Sequence, residues 1–278
     1  MDIIKRITAF FFSIFMAFTS IPSKTAKKKA ESFRVTAYIA GEQIADMASL
    51  DKTHLKDVTD IILIGVASFD VNGELHFGND FEKKTAVLQE LLSGKPVNLY
   101  LNLSGPGSTV SSSDWYEQMD DQGKRHDMAF KSGKLENNIK AALEKYHFDG
   151  VFFDYEYPVY KEHWKVFDRF IISLNKVLGS DYKIGCAISA WLTLQSRRAI
   201  RCLDMVEVMA YDVWDDDGTH ASMDSMKGIV KELKKNGYGI FLLSNASLDF
   251  YENKKALRTV DGTVDMMDVF KAITDILG

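Results

Sequence analysis

The stretch from Phe148 to Pro158 constrains the fold of this chain more than any other. It reads FDGVFFDYEYP, which is apolar and aromatic apart from three acidic residues, one glycine and a closing proline. A run this short and this rich in β-branched and aromatic residues predicts a buried strand rather than a helix. Because side chains alternate along a strand, Phe152, Asp154 and Glu156 share one face.

Asp154 and Glu156 place two carboxyl groups on that face. Two buried carboxylates cost free energy unless they are paired and hydrogen-bonded. At the C-terminal end of a barrel strand, they would lie where such barrels carry out their chemistry. The residues alone leave a second interpretation equally open, in which this is an edge strand and both acids face solvent.

Strand-like and helical segments alternate along the whole chain. Residues 81–92 and 164–178 are amphipathic, and in the second segment apolar residues recur at spacings of three and four. Such alternation predicts right-handed βαβ units and a parallel sheet. Seven strands with the key acids on the fourth predict a TIM-type (β/α)8 barrel, and no glycine-rich phosphate loop supports a nucleotide-binding fold. The predicted strands are 33–39, 61–69, 97–103, 148–156, 184–190, 206–211 and 240–243.

Two regions depart from a regular barrel. After the seventh strand, the sequence predicts helices at 253–258 and 264–276, so we expect the barrel to be shortened or irregular at its eighth strand.

The sequence predicts a long loop for the connection 104–134, and loops of this length are usually functional or mobile. It would wall one side of a cleft, where Trp115 either stacks on a bound ligand or packs the loop down.

Length and composition fit one large domain. The chain has 278 residues, of which 46% are hydrophobic and 26% charged, and we assign 33–278 to one barrel domain. A net charge of −5 and the lack of a basic strip argue against nucleic acid as a partner. The six histidines have no metal-ligand spacing, so we expect no metal and no cofactor. We expect a monomer.

The N-terminal segment predicts export. Lys5 and Arg6 precede the apolar run 7–21, and small polar residues follow it. This order is typical of a secretory signal peptide, here 1–26, although an uncleaved anchor is the alternative. We therefore expect a secreted or cell-surface protein. Cys186 and Cys202 suit such a protein either as one disulfide bridge or as two free thiols.

The central stretch resembles the signature of glycoside hydrolase family 18, the chitinases and endo-β-N-acetylglucosaminidases. The signature reads DGxDxDxE, followed by an aromatic residue and often proline. Asp149, Gly150, Asp154 and Glu156 match it, whereas Phe152 stands where the family has its middle aspartate. Residues 139–147 also resemble the helix that leads into this strand.

The resemblance implies a retaining mechanism without a protein nucleophile, in which the substrate's own acetamido group attacks the anomeric carbon. Glu156 would be the general acid and base, and Asp154 would hold the acetamide N–H. A proton shared between the two would keep Glu156 protonated near neutral pH. With Phe152 below it, Asp154 should stay hydrogen-bonded to Glu156, which implies altered efficiency and pH response. Asp149 and Phe152 would support the site structurally.

A second matching motif lies on the sixth predicted strand. The sequence VMAYD at 208–212 resembles the family's MxYD. The resemblance implies that Tyr211 bonds the acetamide oxygen, that Asp212 binds sugar and that Met209 lines the pocket. Trp214 follows the motif and is a further candidate for sugar binding.

Weaker matches occur at the ends of the first three strands. Tyr38 and Phe69 resemble the family's pocket aromatics at the first and second strand ends. Asn102 lies in a loose match to the third-strand SxGG, where an amide would replace the supporting hydroxyl. The tryptophan that normally follows from the eighth strand has no counterpart in this sequence.

Two functions remain at this point. The first is a secreted glycosidase that hydrolyses β-1,4 linkages of N-acetylglucosamine in a chitin-like, peptidoglycan or N-glycan substrate. The alternative is a catalytically impaired carbohydrate-binding protein on the same barrel, which Phe152 and the missing tryptophan favour. Glu156 favours the enzyme, because members of the family that only bind sugar commonly lose that acid.

Overall fold

Nine strands and six α-helices account for most of the described residues. The computed structural model describes residues 34–44, 58–156, 158–189, 196–209, 223–238 and 242–244, together with the single positions 213, 216 and 218. The strands are β1 (Thr36–Ala40), β2 (Asp60–Ile64), β3 (Ala67–Phe69), β4 (Leu75–Phe77), β5 (Asn98–Leu103), β6 (Gly150–Phe153), β7 (Lys183–Ser189), β8 (Met205–Met209) and β9 (Leu242–Ser244). The helices are α1 (Phe81–Leu92), α2 (Trp115–Phe130), α3 (Leu135–Tyr146), α4 (Lys161–Leu178), α5 (Arg197–Ile200) and α6 (Met223–Asn236), and a 3₁₀ turn covers Gly41–Gln43.

Seven of these strands form one parallel sheet in the order β1-β2-β5-β6-β7-β8-β9. From β2 onward, at least one helix lies between each strand of this parallel sheet and the next. Parallel neighbours need such long connections, because the chain must return to the same end of the sheet. The strands β2, β5, β6, β7 and β8 are almost wholly buried, as expected for parallel strands that are covered on both faces. The prediction of a TIM-type barrel is therefore confirmed, and the sequence that would supply an eighth strand lies outside the described residues.

The alternation predicted for the central strand separates two layers of core. Phe152 packs inside the barrel, in a cluster with residues of β2, β5, β7 and β8. Phe153, the next residue, faces outward, and its ring lies 6.0 Å from Phe167 and 5.6 Å from Phe170 of α4. The apolar stripe of α4 thus covers the outer face of the strand that carries the acids.

The inner layer depends on a close fit between Phe152 and Gly185. The two residues are register partners on β6 and β7. A Cβ atom at position 185 would lie 2.6 Å from Cδ2 of Phe152, well inside van der Waals contact. The ring of Tyr38 meets Phe152 edge-on, with centroids 6.0 Å apart. The missing side chain at Gly185 therefore provides the space that the phenyl ring fills.

The segment predicted as a single strand at 61–69 is two strands. Gly65 adopts φ 71°, a left-handed conformation that breaks the extended chain after β2. The chain then forms β3, which pairs with β4 in a small antiparallel hairpin. The amide of Phe69 donates to the carbonyl of Ser104 at 3.0 Å, so β3 leans on the end of β5.

The connection predicted as a long loop at 104–134 contains helix α2, and the loop prediction is wrong for that part. Asp114 caps the helix by accepting a hydrogen bond from the amide of Tyr116 at 2.8 Å. The buried face of α2 consists of Gly123, His126, Ala129 and Phe130. This face is short and partly polar, so apolar periodicity alone does not reveal the helix.

Both cysteines are free thiols, which decides between the two alternatives that the sequence left open. Cys186 is buried within β7. Cys202 follows α5, and its thiol donates to the carbonyl of Arg198 at 3.3 Å.

The predicted signal segment 1–26 and the predicted helices 253–258 and 264–276 lie outside the described residues. These three segments stay predictions. Of the helices that the structure does describe, none has the length and apolar character needed to cross a membrane.

The fit at Gly185 leads to a test. Gly185→Ala should lower the free energy of unfolding by about 1–3 kcal/mol, because the new methyl group overpacks against Phe152. Urea denaturation measures this change. Gly228→Ala is the control, since nothing lies within 4 Å of a Cβ at that helical position. Equal stability of the two variants would show that Phe152 is free to move aside.

Candidate active site

A cavity of about 450 Å³ opens at the C-terminal ends of the parallel strands. This is the face on which barrels of this type carry their chemistry. The residues that line it are Tyr38, Ile64, Gly65, Asn102, Ser104, Asp154, Glu156, Ala187, Glu207 and Met209.

Asp154 and Glu156 form the chemical centre of the cavity. Asp154 directly follows β6 and is half-buried, whereas Glu156 is exposed. Burial raises the pKa of Asp154 above its ordinary value of 3.8, and a side-chain hydrogen bond with Glu156 acts in the opposite direction. Two carboxyl groups can share such a bond only if one of them carries a proton. The pair is therefore suited to hold one proton and to pass it on.

The carboxyl group of Asp154 also has a buried oxygen without a hydrogen bond. Its Oδ1 atom is buried and has no hydrogen-bond partner among the described residues. A buried acceptor without a partner costs roughly 1–3 kcal/mol, so its presence calls for an explanation. Because Asp154 lines the cavity, a donor on a bound ligand could supply the missing bond.

Helix α2 holds the strand end that carries both acids. Gln122 donates from Nε2 to the carbonyl of Glu156 at 2.8 Å. The rings of His126 and Tyr155 stack at 4.1 Å with an angle of 8°. Burial lowers the pKa of His126 to about 4, so the imidazole is neutral near neutral pH. A Cβ at Gly105 would lie 1.9 Å from Nε2 of His126, which explains the glycine there.

Asp149 fixes the other end of the same strand. Its Oδ2 atom accepts a hydrogen bond from the amide of Leu99 at 2.8 Å. Its own amide donates to the carbonyl of Leu99, and its carbonyl accepts from the amide of Lys183, both at 2.9 Å. Asp149 thus joins β6 to both neighbouring strands. It lies at the opposite end of β6 from Asp154 and Glu156.

Several predicted site residues lie together with the acidic pair. Tyr38, Asn102 and Met209 all line the cavity. Asn102 is buried, and its Oδ1 atom has no hydrogen-bond partner among the described residues. Phe152 is fully buried two residues before Asp154 and forms an apolar floor.

Two other predicted residues do not line the cavity. Phe69 is only 3% exposed and packs between β3 and α2, with its ring 5.5 Å from His126 and 5.7 Å from Phe130. After the break at Gly65, β3 stays hydrogen-bonded to the end of β5 through Ser104, and Phe69 faces α2 rather than the cavity. Trp115 begins α2, is 40% exposed and meets the ring of Tyr116 edge-on at 5.0 Å.

The remaining predicted residues follow β8. Tyr211, Asp212 and Trp214 all lie outside the described residues. Their roles stay predictions.

The sequence analysis missed Glu207. It lies on β8, two residues before Met209, and is 8% exposed on the cavity wall. Strand alternation counted back from Met209 assigns position 207 to the same face, so the signal was present in the sequence. Ser104, at the end of β5, is a second lining residue that the analysis did not single out.

The fold matches solved chitinases. A glycoside hydrolase family 18 chitinase from Flavobacterium johnsoniae is 22% identical, with a TM-score of 0.54 over 73% of this chain and 63% of that chain. A chitinase from Chromobacterium violaceum is 17% identical, with a TM-score of 0.57 over 76% of this chain and 67% of that chain. The spore cortex-lytic enzyme of Bacillus cereus is 15% identical, with a TM-score of 0.55 over 76% of this chain and 50% of that chain.

These matches confirm the predicted resemblance at the level of the fold. The alignments with these solved structures span about half to two thirds of the neighbours' length. No protein-family model matches the sequence, and no curated protein matches it.

The raised pKa of Asp154 leads to a prediction about pH. Because the folded protein holds this proton more tightly than the unfolded chain, Asp154 contributes stability that is fully present below pH 3.8. That contribution is lost as the pH rises through the folded-state pKa. Wild type should therefore lose stability relative to Asp154→Asn as the pH rises above 3.8.

Thermal melts of both proteins from acidic to neutral pH measure this difference. Asp224→Asn removes an exposed carboxylate from the first turn of α6 and serves as the control. Parallel curves of melting temperature against pH for wild type and Asp154→Asn would contradict the assignment of a raised pKa.

Proposed function

We propose that this protein is a retaining glycosidase that hydrolyses β-1,4 linkages of N-acetylglucosamine, with Glu156 as the general acid and base. One observation carries the proposal: the hydrogen-bonded Asp154–Glu156 pair lies in a cavity at the C-terminal ends of the barrel strands. The chitinase fold of the neighbours supports it. The pair offers both groups that a substrate-assisted reaction requires from the protein.

In the first step, Glu156 gives its proton to the glycosidic oxygen. The carbonyl oxygen of the substrate's acetamido group attacks the anomeric carbon, and the bond from that carbon to the glycosidic oxygen breaks. The products are the leaving sugar with a free hydroxyl group and an oxazolinium ion on the other sugar. The unpartnered Oδ1 of Asp154 would accept the acetamide N–H, which becomes more acidic as positive charge develops.

In the second step, water attacks the anomeric carbon and Glu156 takes up its proton. The bond to the acetamido oxygen breaks, which restores the acetamide and the protonated acid. Two successive inversions give retention of configuration. Near-neutral pH suits both steps if the pair keeps one proton, as the raised pKa of Asp154 favours.

Other residues would position the sugar. Tyr211 would hold the acetamide oxygen and Asp212 a sugar hydroxyl, as the resemblance of their motif implies. The Asn102 amide would offer its unpartnered oxygen to a substrate donor. Tyr38 and Met209 would supply apolar contact on the cavity wall.

The substrate class is an N-acetylglucosamine-containing polysaccharide or glycan. Chitin-like chains, peptidoglycan and N-glycans all present the acetamido group that the mechanism needs. We propose that the protein acts outside the cell as a monomer, exported by its N-terminal segment.

Glu156→Gln tests the proposed acid. The amide keeps the shape of the side chain but cannot donate and recover a proton, so kcat should fall about 10²- to 10⁴-fold with the fold intact. Mass spectrometry of products from chitin oligosaccharides, peptidoglycan fragments and a glycopeptide measures turnover. Glu117→Gln, an exposed change in the first turn of α2, is the matched control. A folded Glu156→Gln variant with wild-type turnover would exclude Glu156 as the acid.

A sugar-binding protein is the second candidate. The observation in its favour is Phe152, which is fully buried and leaves no carboxyl group below Asp154. On this alternative, the chain binds N-acetylglucosamine glycans in the same cavity without cleaving them.

Phe152→Asp separates the two candidates. In a working enzyme, this change buries a further carboxyl group beside Gly185 and leaves a space that the ring filled, so stability should fall by about 3–5 kcal/mol. In a decayed catalyst, it should raise turnover. A thermal melt and a pH–rate curve for both proteins measure these effects. An inactive wild type alongside an active Phe152→Asp variant would favour the binding protein.

A further inference from the structure

Helix α2 has a second contact face beside the one that holds the strand end. Asp120, Gly123 and Asp127 follow one another at spacings of three and four residues, so they share one side of the helix. All three meet the ring of His163 on α4. We call these four residues the α2–α4 joint. The mechanism above gives none of them a role.

His163 lies between the two carboxyl groups of the joint and is 4% exposed. Its Nε2 atom lies 3.3 Å from Oδ1 of Asp120, within hydrogen-bond geometry. Its Nδ1 atom lies 3.2 Å from Oδ2 of Asp127, at ion-pair distance but without the alignment of a hydrogen bond. Each carboxyl group also pairs with a lysine four residues further along α2. The imidazole is thus the group that connects α4 to both acids of α2.

The proton on Nε2 follows from the state of Asp120. A hydrogen bond from Lys124 lowers the pKa of Asp120 below its ordinary value of 3.8, burial opposes this change, and the hydrogen bond from His163 adds to the lowering. Asp120 is therefore a carboxylate near neutral pH, and a carboxylate only accepts hydrogen bonds. Nε2 of His163 is the donor in this contact.

Gly123 lets the two helices approach this closely. A Cβ atom at this position would lie 2.5 Å from Cδ2 and 2.6 Å from Nε2 of His163. Glycine inside a helix costs more conformational entropy than alanine, so its presence on α2 calls for a reason. The ring of His163 supplies that reason, because it occupies the space that a side chain at position 123 would need.

Gln122 and His126 lie beside the joint on α2 and hold the strand end. Gln122 donates to the carbonyl of Glu156 at 2.8 Å, and its own carbonyl accepts from Nδ1 of His126 at 2.9 Å. Helix α4 in turn packs on the outer face of β6 through Phe167 and Phe170. The contacts therefore run in a closed path from β6 to α4, across the joint to α2, and back to the backbone of Glu156.

We propose that His163 is a positioning residue of the proposed reaction, which holds α2 on α4 and thereby keeps Gln122 against the carbonyl of Glu156. The proposal rests on the proposed function, because it assigns a role within the same site. The carboxyl group of Glu156 would touch the substrate, whereas His163 acts only through α2. Without the joint, the backbone of the acid loses a fixed support while the residues that line the cavity stay in place. The chemical step should therefore slow more than binding weakens.

His163→Leu is the primary variant, since it removes both ring nitrogens. Its kcat per folded molecule should fall about 10- to 100-fold, the scale of a misplacement by about 1 Å, with KM nearly unchanged. His163→Gln keeps an amide donor that reaches about as far as Nε2, so it should restore most of the kcat. Initial rates on whichever glycan the wild type cleaves measure both constants. Leu88→Ala, a buried change on α1 outside the joint, controls for lost stability and should keep the wild-type kcat.

An NMR measurement reports on the joint without any turnover. The side-chain amide of Gln122 donates to the carbonyl of Glu156, and its proton signals are assigned through Gln122→Ala. In His163→Leu these signals should move and exchange faster with solvent, whereas in His163→Gln and Leu88→Ala they should stay. Unchanged Gln122 signals in a folded His163→Leu variant would overturn the proposal.

Asp120→Ala covers the case in which His163→Leu does not fold. It breaks the joint from the side of α2, at a side chain that is 32% exposed. It should move the Gln122 signals and lower kcat in the same way. Lys124→Met is the matched control, because it removes the other partner of Asp120 and leaves the contact with His163. Wild-type signals and kcat in Asp120→Ala would then overturn the proposal.

The outcomes separate this inference from the proposed function. A wild type that hydrolyses glycans, an inactive Glu156→Gln variant and an unchanged kcat in His163→Leu would overturn the role of His163 alone, even if the Gln122 signals move. Moved Gln122 signals in a protein whose wild type cleaves none of the glycans would overturn the proposed function, while the placement of the strand end by His163 would stand.

Discussion

The packing of Phe152 between its register neighbours determines where the acids of this protein lie. Asn102 on β5 and Gly185 on β7 flank it at one level of the barrel. Since Gly185 provides the space for the ring and Tyr38 closes it from the side, a slip of the strand by one residue would move Phe152 out of this space and turn Asp154 toward the helix layer. That register fixes Asp154, two residues further along, at the rim of the cavity rather than in the core.

Supports outside the barrel complete this placement. Asp149 binds the backbone of β5 at one end of β6, and at the other end Gln122 and the ring of His126 hold the segment that carries the acids. The second support comes from α2, so the connection after β5 contributes directly to the site. The bond from Gln122 holds the backbone at Glu156 and leaves the carboxyl group of that residue unused.

The sequence predicted those features that depend on continuous local patterns. The sheet followed from buried apolar runs, and the acidic pair followed from alternation within one strand and from a family signature. Features that depend on a single backbone angle or on contacts distant in sequence were missed. Gly65 interrupts the extended chain before β3, whose Phe69 packs against α2 outside the cavity, and α2 has a short, partly polar buried face. Glu207 was overlooked although strand alternation assigns it to the face of Met209, because the motif that identified this strand begins only at Met209.

The charges of the cavity explain why proton sharing matters at this site. A cluster of carboxyl groups is usually stabilised by a neighbouring cation, but none of the described lining residues is basic. Burial raises the pKa of Asp154, and its hydrogen bond with Glu156 agrees with a proton held between the two carboxyl groups. The general acid proposed above requires such a proton. The proposed chemistry therefore depends on the close placement of Asp154 and Glu156 at the end of β6.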